Sequence, residues 1–206
     1  MANPEQPQIY LISPPQLDID SFPDRFASVL DRVEVACARL SLASRDETEI
    51  ARAADALREV AHARDVPLVI EDHMMMVERL GLDGVHLCDG ARAVRKSRKT
   101  LGRDAIVGAF CGASRHDGMN AGEAGADYVS FGPVGPTALG DGSMAPPELF
   151  AWWSEMIELP VVAEGVLDGD SARRMSRLAD FLAFGEEIWR HDDPAARLKK
   201  LVRAFA

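Results

Sequence analysis

Short apolar runs recur along this chain, and segments with a helical stripe of hydrophobic positions lie between them. The runs are Gln8–Ser13, Glu34–Leu40, Pro67–Glu71, Gly84–Leu87, Ala105–Phe110, Tyr128–Phe131, Pro160–Glu164 and Asp180–Phe184. Their content of Val, Ile, Leu and Ala is that of strands buried on both faces. The clearest intervening helix is expected from about Asp46 to Ala63. There Ile50, Ala54, Leu57 and Ala61 recur at spacings of three and four, with charges between them. Ser44 or Asp46 is placed to cap it. Ser21, followed by Pro23, and Ser114 are candidate caps of two further helices. Pro146-Pro147 opens a helix carrying Trp152 and Trp153, and Pro194 to Phe205 supplies the last. Two adjacent tryptophans cannot both face inward, so one is left to cover a neighbouring element or a second subunit of a homo-oligomer.

Eight strand–helix units in 206 residues predict an α/β chain folded as a single-domain (β/α)8 TIM barrel over residues 1–206. A doubly wound open sheet is the alternative, but it rarely needs eight strands in so short a chain. Three of the runs end on glycine, in DYVSFGPVGPT, PVVAEG and FLAFG. Strands that exit on glycine bring backbone N–H groups to the carboxyl rim, where parallel α/β folds hold ligands. A phosphate or similar anion is the expected guest, and so a phosphorylated small molecule is the expected substrate. The stretch Pro133 to Ala145, rich in Gly and Pro, is long enough to cover such a site.

Composition narrows the partners. A net charge of -10 disfavours nucleic acid and anionic membranes. No apolar run approaches the length of a membrane span. The opening MANPEQPQ lacks a basic segment followed by an apolar one, so it does not read as a secretory signal. Cys37, Cys88 and Cys111 have no framework spacing, and the chain reads as cytoplasmic with reduced thiols. All three fall near strand ends. A metal site shared with His73 or His86 is conceivable chemically, but buried small thiols are the simpler reading. Met74 to Met76 is read as apolar helix packing. His86 is expected to point into the barrel as a hydrogen-bonded core histidine.

The phrases QIYLISPP, VPLVIEDH, GLDGVHL, GADYVSFGPVGPT and LPVVAEGV, in that order, resemble the thiamine-phosphate synthase and thiazole tautomerase superfamily of small TIM barrels. The resemblance runs over nearly the whole chain. It implies a synthase that joins a pyrimidine methyl diphosphate to a thiazole phosphate. The diphosphate leaves with help from Mg2+, and the thiazole nitrogen attacks the exposed methylene carbocation.

The resemblance also implies roles for individual residues. Asp72 matches the aspartate of the family's Asn-Asp pair, a Mg2+ ligand, with Glu71 replacing the asparagine as a substrate-binding candidate. Asp89, two places earlier than the family's next aspartate, is a second candidate metal ligand. A helix cap is the competing reading for both aspartates. Arg39 survives from a Gln-x-Arg-x-Lys pattern that grips diphosphate, while Cys37 and Ser41 stand at the glutamine and lysine. It is assigned to catalysis and substrate binding, against a plain pairing with Glu71 or Asp72. Thr137 opens the family's Pro-Thr-x-Thr-Lys phrase and is assigned the same roles, but Leu139 and Gly140 replace its second threonine and lysine. Gly165 belongs to an Ile-Gly-Gly phrase that reads Glu164-Gly165-Val166 here, and Gly185 stands at a serine. Both are candidate phosphate-binding glycines, against ordinary turn glycines, and Glu186-Glu187 beside the second would repel an anion. Gly112 replaces the histidine that the tautomerase needs, and His116 lies a turn later.

Each missing lysine removes a charge-assisted contact of about 1.5–3 kcal/mol. The departures at Ser41, Gly112 and Gly140 therefore leave three activities open. One is the synthase itself. Another is a different reaction of the family, such as a tautomerase-like isomerisation. The third is a non-catalytic paralogue that binds a phosphorylated thiamine precursor.

Overall fold

A computed structural model of the protein describes residues 6–137 and 139–205. Eight parallel strands close into a barrel in chain order: β1 (Gln8–Ile12), β2 (Cys37–Leu40), β3 (Leu68–Glu71), β4 (Gly84–Leu87), β5 (Ile106–Phe110), β6 (Tyr128–Phe131), β7 (Val161–Ala163) and β8 (Phe181–Phe184). β8 returns to pair with β1, with Tyr10 opposite Ala183. The helices between them are α1 (Phe22–Leu30), α2 (Glu47–His62), α3 (Met76–Leu80), α4 (Val94–Leu101), α5 (Arg115–Ala124), α6 (Pro147–Met156), α7 (Gly169–Met175), α8 (Glu186–Trp189) and α9 (Pro194–Val202). The ring excludes the open sheet. The four-residue α8 was not expected from the sequence.

Side chains alternate across each strand. Ile9 and Leu11 join the large core between sheet and helices. Tyr10, Cys37, Val69, Tyr128, Val162 and Ala183 fill the barrel interior. Gly108 on β5 lacks the Cβ that would collide with the Tyr128 ring, and so makes room for it. The Tyr10 and Tyr128 hydroxyls lie 2.7 Å apart, and Tyr128 Oη lies 2.8 Å from His86 Nδ1. His86 is fully buried. Burial first, and then the charge of Arg39, hold its pKa well below the ordinary value, so it is the neutral core histidine expected.

The helix caps follow the sequence in part. Asp46 accepts the Thr48 N–H at the start of α2, and Ser114 accepts the Asp117 N–H at the start of α5. Ser21 precedes α1, but its hydroxyl donates to Asp18 instead of capping. Neither Asp72 nor Asp89 is a cap, since α3 begins at Met76 and α4 at Val94. Met76 is buried as expected, whereas Met75 is 72% exposed. Trp153 is buried and donates its indole N–H to the Leu159 carbonyl. Trp152 lies half-buried beneath the Arg115 guanidinium, 4.6 Å from its ring centre, so it covers α5 of the same chain.

Candidate functional site

Two adjoining cavities open at the carboxyl ends of the strands, the face on which a TIM barrel carries its chemistry. The smaller, about 250 Å³, is lined by Arg39, Ser41, Glu71, Thr137, Gly165 and Gly185, together with Glu164 and Glu187. The larger, about 590 Å³, is lined by Asp89, Gly112, Ser114 and Gly140 among others. Cys88 and Phe110 border both. The barrel therefore gathers five of the seven site residues expected from the sequence around one cavity. Asp89 faces the other cavity, and Asp72 lines neither.

Arg39 projects from β2 into the barrel and is 5% exposed. Its Nη2 donates to Glu164 Oε2 at 2.7 Å, and its Nε lies 3.5 Å from Glu71 Oε2. Nε and Nη1 are buried without a hydrogen-bond partner among the described residues. Burial works against the guanidinium's charge, but Glu164, then Tyr10 and Glu71, outweigh it and raise its pKa. Of the two partners considered from the sequence, Glu71 is met and Asp72 is not. The main partner is Glu164 at the exit of β7, 125 residues away in the chain. The second oxygen of Glu164 accepts the buried Ser130 hydroxyl at 3.2 Å. Sequence reasoning missed this role of Glu164. The available signal was a carboxylate closing an apolar strand, because a charge buried there requires a partner.

The loops after β6 and β7 are stitched together by backbone. Val134 N–H donates to the Glu164 carbonyl and Gly135 N–H to that of Gly165, each at 3.0 Å. Gly165 has φ +101°, and a Cβ there would stand 2.7 Å from Pro133 Cα. It is therefore required by geometry, beyond the needs of an ordinary turn. Val166 holds φ +48°, a left-handed conformation that a β-branched residue rarely adopts. Gly185 leads into α8, whose Glu187 is buried and accepts the Leu167 N–H at 3.3 Å. Burial pushes the Glu187 carboxyl above the usual carboxylate range, against the pull of nearby backbone N–H groups.

The proposed metal ligands stand apart. Asp72, exposed and with φ +56°, uses one oxygen to accept the Cys88 N–H at 2.8 Å. Asp89 is exposed on the larger cavity. No group of three or more His, Cys, Asp and Glu side chains able to hold a metal occurs among the described residues. This donor set fits Mg2+ only as an ion held largely by substrate phosphates and water, with one or two carboxylates beneath it. It does not fit a thiolate centre. Cys37 and Cys111 are buried thiols pushed up to about 12, chiefly by burial, whereas Cys88 is exposed, contrary to the expectation of three buried thiols. On the larger cavity Gly112 (φ +54°) faces open space, and Gly140 (φ +64°) lies against the Phe110 ring. His116 is exposed on α5 and bonds Asn120, away from any catalytic partner.

Residues 9–187 match the family model described as thiamine monophosphate synthase. The chain belongs to that family. Among its relatives, a thiamine-phosphate synthase from Rhodospirillum centenum is 41% identical over 96% of this chain and 97% of its own length. One from Erythrobacter litoralis is 40% identical over 100% of this chain and 97% of its own. A solved thiamine phosphate pyrophosphorylase from Pyrococcus furiosus superposes with a TM-score of 0.82 at 20% identity, covering 96% of each chain, which bears out the barrel. No helix among the described residues is long and apolar enough to cross a membrane.

Proposed function

We propose that this chain carries out the synthase reaction of its family, joining a pyrimidine methyl diphosphate to a thiazole phosphate and releasing diphosphate. The observation that carries this reading is the convergence of Arg39, Glu71, Thr137, Gly165 and Gly185 on one cavity at the strand carboxyl ends. Thr137 and the backbone at Gly165 and Gly185 hold phosphate oxygens at the rim. Arg39 lies beneath as a fixed positive charge, shared with Glu164. The adjoining larger cavity gives the second substrate room beside the first, with Phe110 and Cys88 between them. The chain's part in catalysis is to orient the two reactants and exclude water from the exposed methylene carbon. Asp72 and Glu71, at the exit of β3, are the carboxylates that would hold Mg2+ together with a substrate diphosphate, and the ion would supply charge to offset the leaving group. Asp89 is the weaker ligand candidate because it faces the larger cavity. Both substrates carry charges that keep them from crossing membranes, so the reaction belongs in the cytoplasm.

The test is condensation of the two labelled precursors, followed as diphosphate release with and without Mg2+. Release that requires the metal and falls at least tenfold in Asp72→Ala supports the reading; no release under any condition refutes it. A second reading has its own observation. Neutral residues at Ser41, Gly112 and Gly140, with Arg39 already paired, suit a protein that binds a phosphorylated precursor without turning it over. A rise in Tm with either precursor and no turnover would select that reading.

A further inference from the structure

Glu71, Glu164, Glu186 and Glu187 line the smaller cavity, where Arg39 is the one cationic side chain among the described residues. The two buried carboxylates each hold a donor beside the mouth, while Nε and Nη1 of Arg39 stay without a hydrogen-bond partner among the described residues. Glu164 takes Arg39 Nη2 at 2.7 Å, and Glu187 takes the Leu167 N–H behind the Gly165–Val166 turn at 3.3 Å. We infer that Glu164 is a specificity-determining residue, a built-in counter-anion that keeps Arg39 from acting as a free anion receptor.

The geometry of Glu164 makes this a lasting arrangement. It is 1% exposed, and both carboxylate oxygens are engaged, one by Arg39 and one by Ser130. Its backbone is held on both sides, since its N–H donates to the Phe131 carbonyl at 3.1 Å and its carbonyl accepts the Val134 N–H at 3.0 Å. Gly132 packs against it so closely that a Cβ there would come 2.5 Å from the Glu164 carbonyl oxygen. A phosphate that displaced Glu164 from Arg39 would leave a buried carboxylate unpaired, which is strongly unfavourable. An anion that approached the unpartnered Nε and Nη1 instead would meet a guanidinium whose charge Glu164 at 2.7 Å and Glu71 at 3.5 Å already offset. A bare anion therefore gains little from Arg39, and the cavity favours ligands whose negative charge arrives already offset.

The inference rests on this cavity being the anion site of the proposed reaction, but its test contains no reaction. Inorganic diphosphate is titrated calorimetrically into the full chain with a chelator present. The proteins are wild type, Glu164→Gln, and the double variant Glu164→Gln with Arg39→Met. Glu164→Gln is expected to bind about tenfold more tightly than wild type, with the gain lost in the double variant. Equal affinity in wild type and Glu164→Gln would overturn the inference, as would a gain that persists without Arg39. If Glu164→Gln does not fold, wild type labelled with 15N-arginine decides the matter. The Arg39 guanidinium signal is expected to stay in place as diphosphate is added to excess, and a shift of that signal refutes the proposal. A chain that follows this pattern yet releases no diphosphate in the condensation assay would refute the synthase reading alone.

Discussion

The two cavities at the barrel mouth are built differently. Around the smaller one, much of the wall is backbone: Gly165 with its positive φ, the stitched β6 and β7 loops, and Gly185. Around the larger one stand Gly112 and Gly140, where the resemblance implies a histidine and a lysine. The carboxylates there, Asp89, Asp117 and Asp141, lie exposed. A backbone site is tied to packing, so changing it disturbs the fold. A side-chain site is not tied in this way, and its residues change without penalty to the barrel. The smaller cavity has a charge network with structural weight, and the larger does not.

The sharpest test of that contrast compares Arg39→Met with Asp89→Asn. Removing Arg39 leaves Glu164 buried with only Ser130 as partner, a loss of about 3–5 kcal/mol. Asp89→Asn changes an exposed charge and should stay within about 0.5 kcal/mol. Urea unfolding of both variants reads the difference. Equal stabilities would mean that the Arg39–Glu164 pair contributes nothing to holding the mouth together.

A smaller difference is expected between two glycines. At Gly165 an added methyl meets the Pro133 backbone at 2.7 Å and the residue must keep φ +101°. Gly165→Ala should cost about 2–3 kcal/mol. Gly112 has φ +54° but open space around it. Gly112→Ala should cost about 1 kcal/mol, from backbone strain alone. Thermal unfolding checks both, and the contrast between the cavities weakens if Gly112→Ala proves the costlier change.

The barrel was legible in the sequence because each strand is an apolar run that the chain must bury, and each run ends where polar residues resume. Only the strand edges shifted, as in β2, expected from Glu34 and observed from Cys37. The site was legible where one residue determines its own backbone, as at Gly165. It was not legible where two distant side chains form a pair. Arg39 was weighed against Glu71 and Asp72 because they follow on the next strand, but barrel closure brings Glu164 across the interior to meet it. Asp72 was placed correctly at the end of its strand, yet its carboxylate turns to the Cys88 N–H, a contact that depends on how β3 and β4 exit side by side. Local pattern reports which face a residue occupies, whereas the partner across a closed ring depends on the register of all eight strands.

The smallest expected effect concerns Glu187 and is read by pH. Burial raises its carboxyl pKa in the folded state above the ordinary value of 4.5. A raised folded pKa means that the folded chain binds the proton more tightly than the unfolded chain does. The resulting stabilisation is complete below the unfolded value and is lost as pH rises through the folded one. Wild type should therefore lose stability as pH rises above 4.5 through the raised folded value, and Glu187→Gln should remove that slope while still accepting the Leu167 N–H. Urea midpoints measured across this window would show it, and parallel curves for the two proteins would mean that Glu187 is not held against its charge. The outcome bears on the mouth as a whole. If Glu187 gives up its proton as pH rises, the smaller cavity becomes more negative, and its resistance to a bare anion should grow over the same range. The larger cavity, whose carboxylates already face water, has no buried carboxyl among the described residues and should show no such trend.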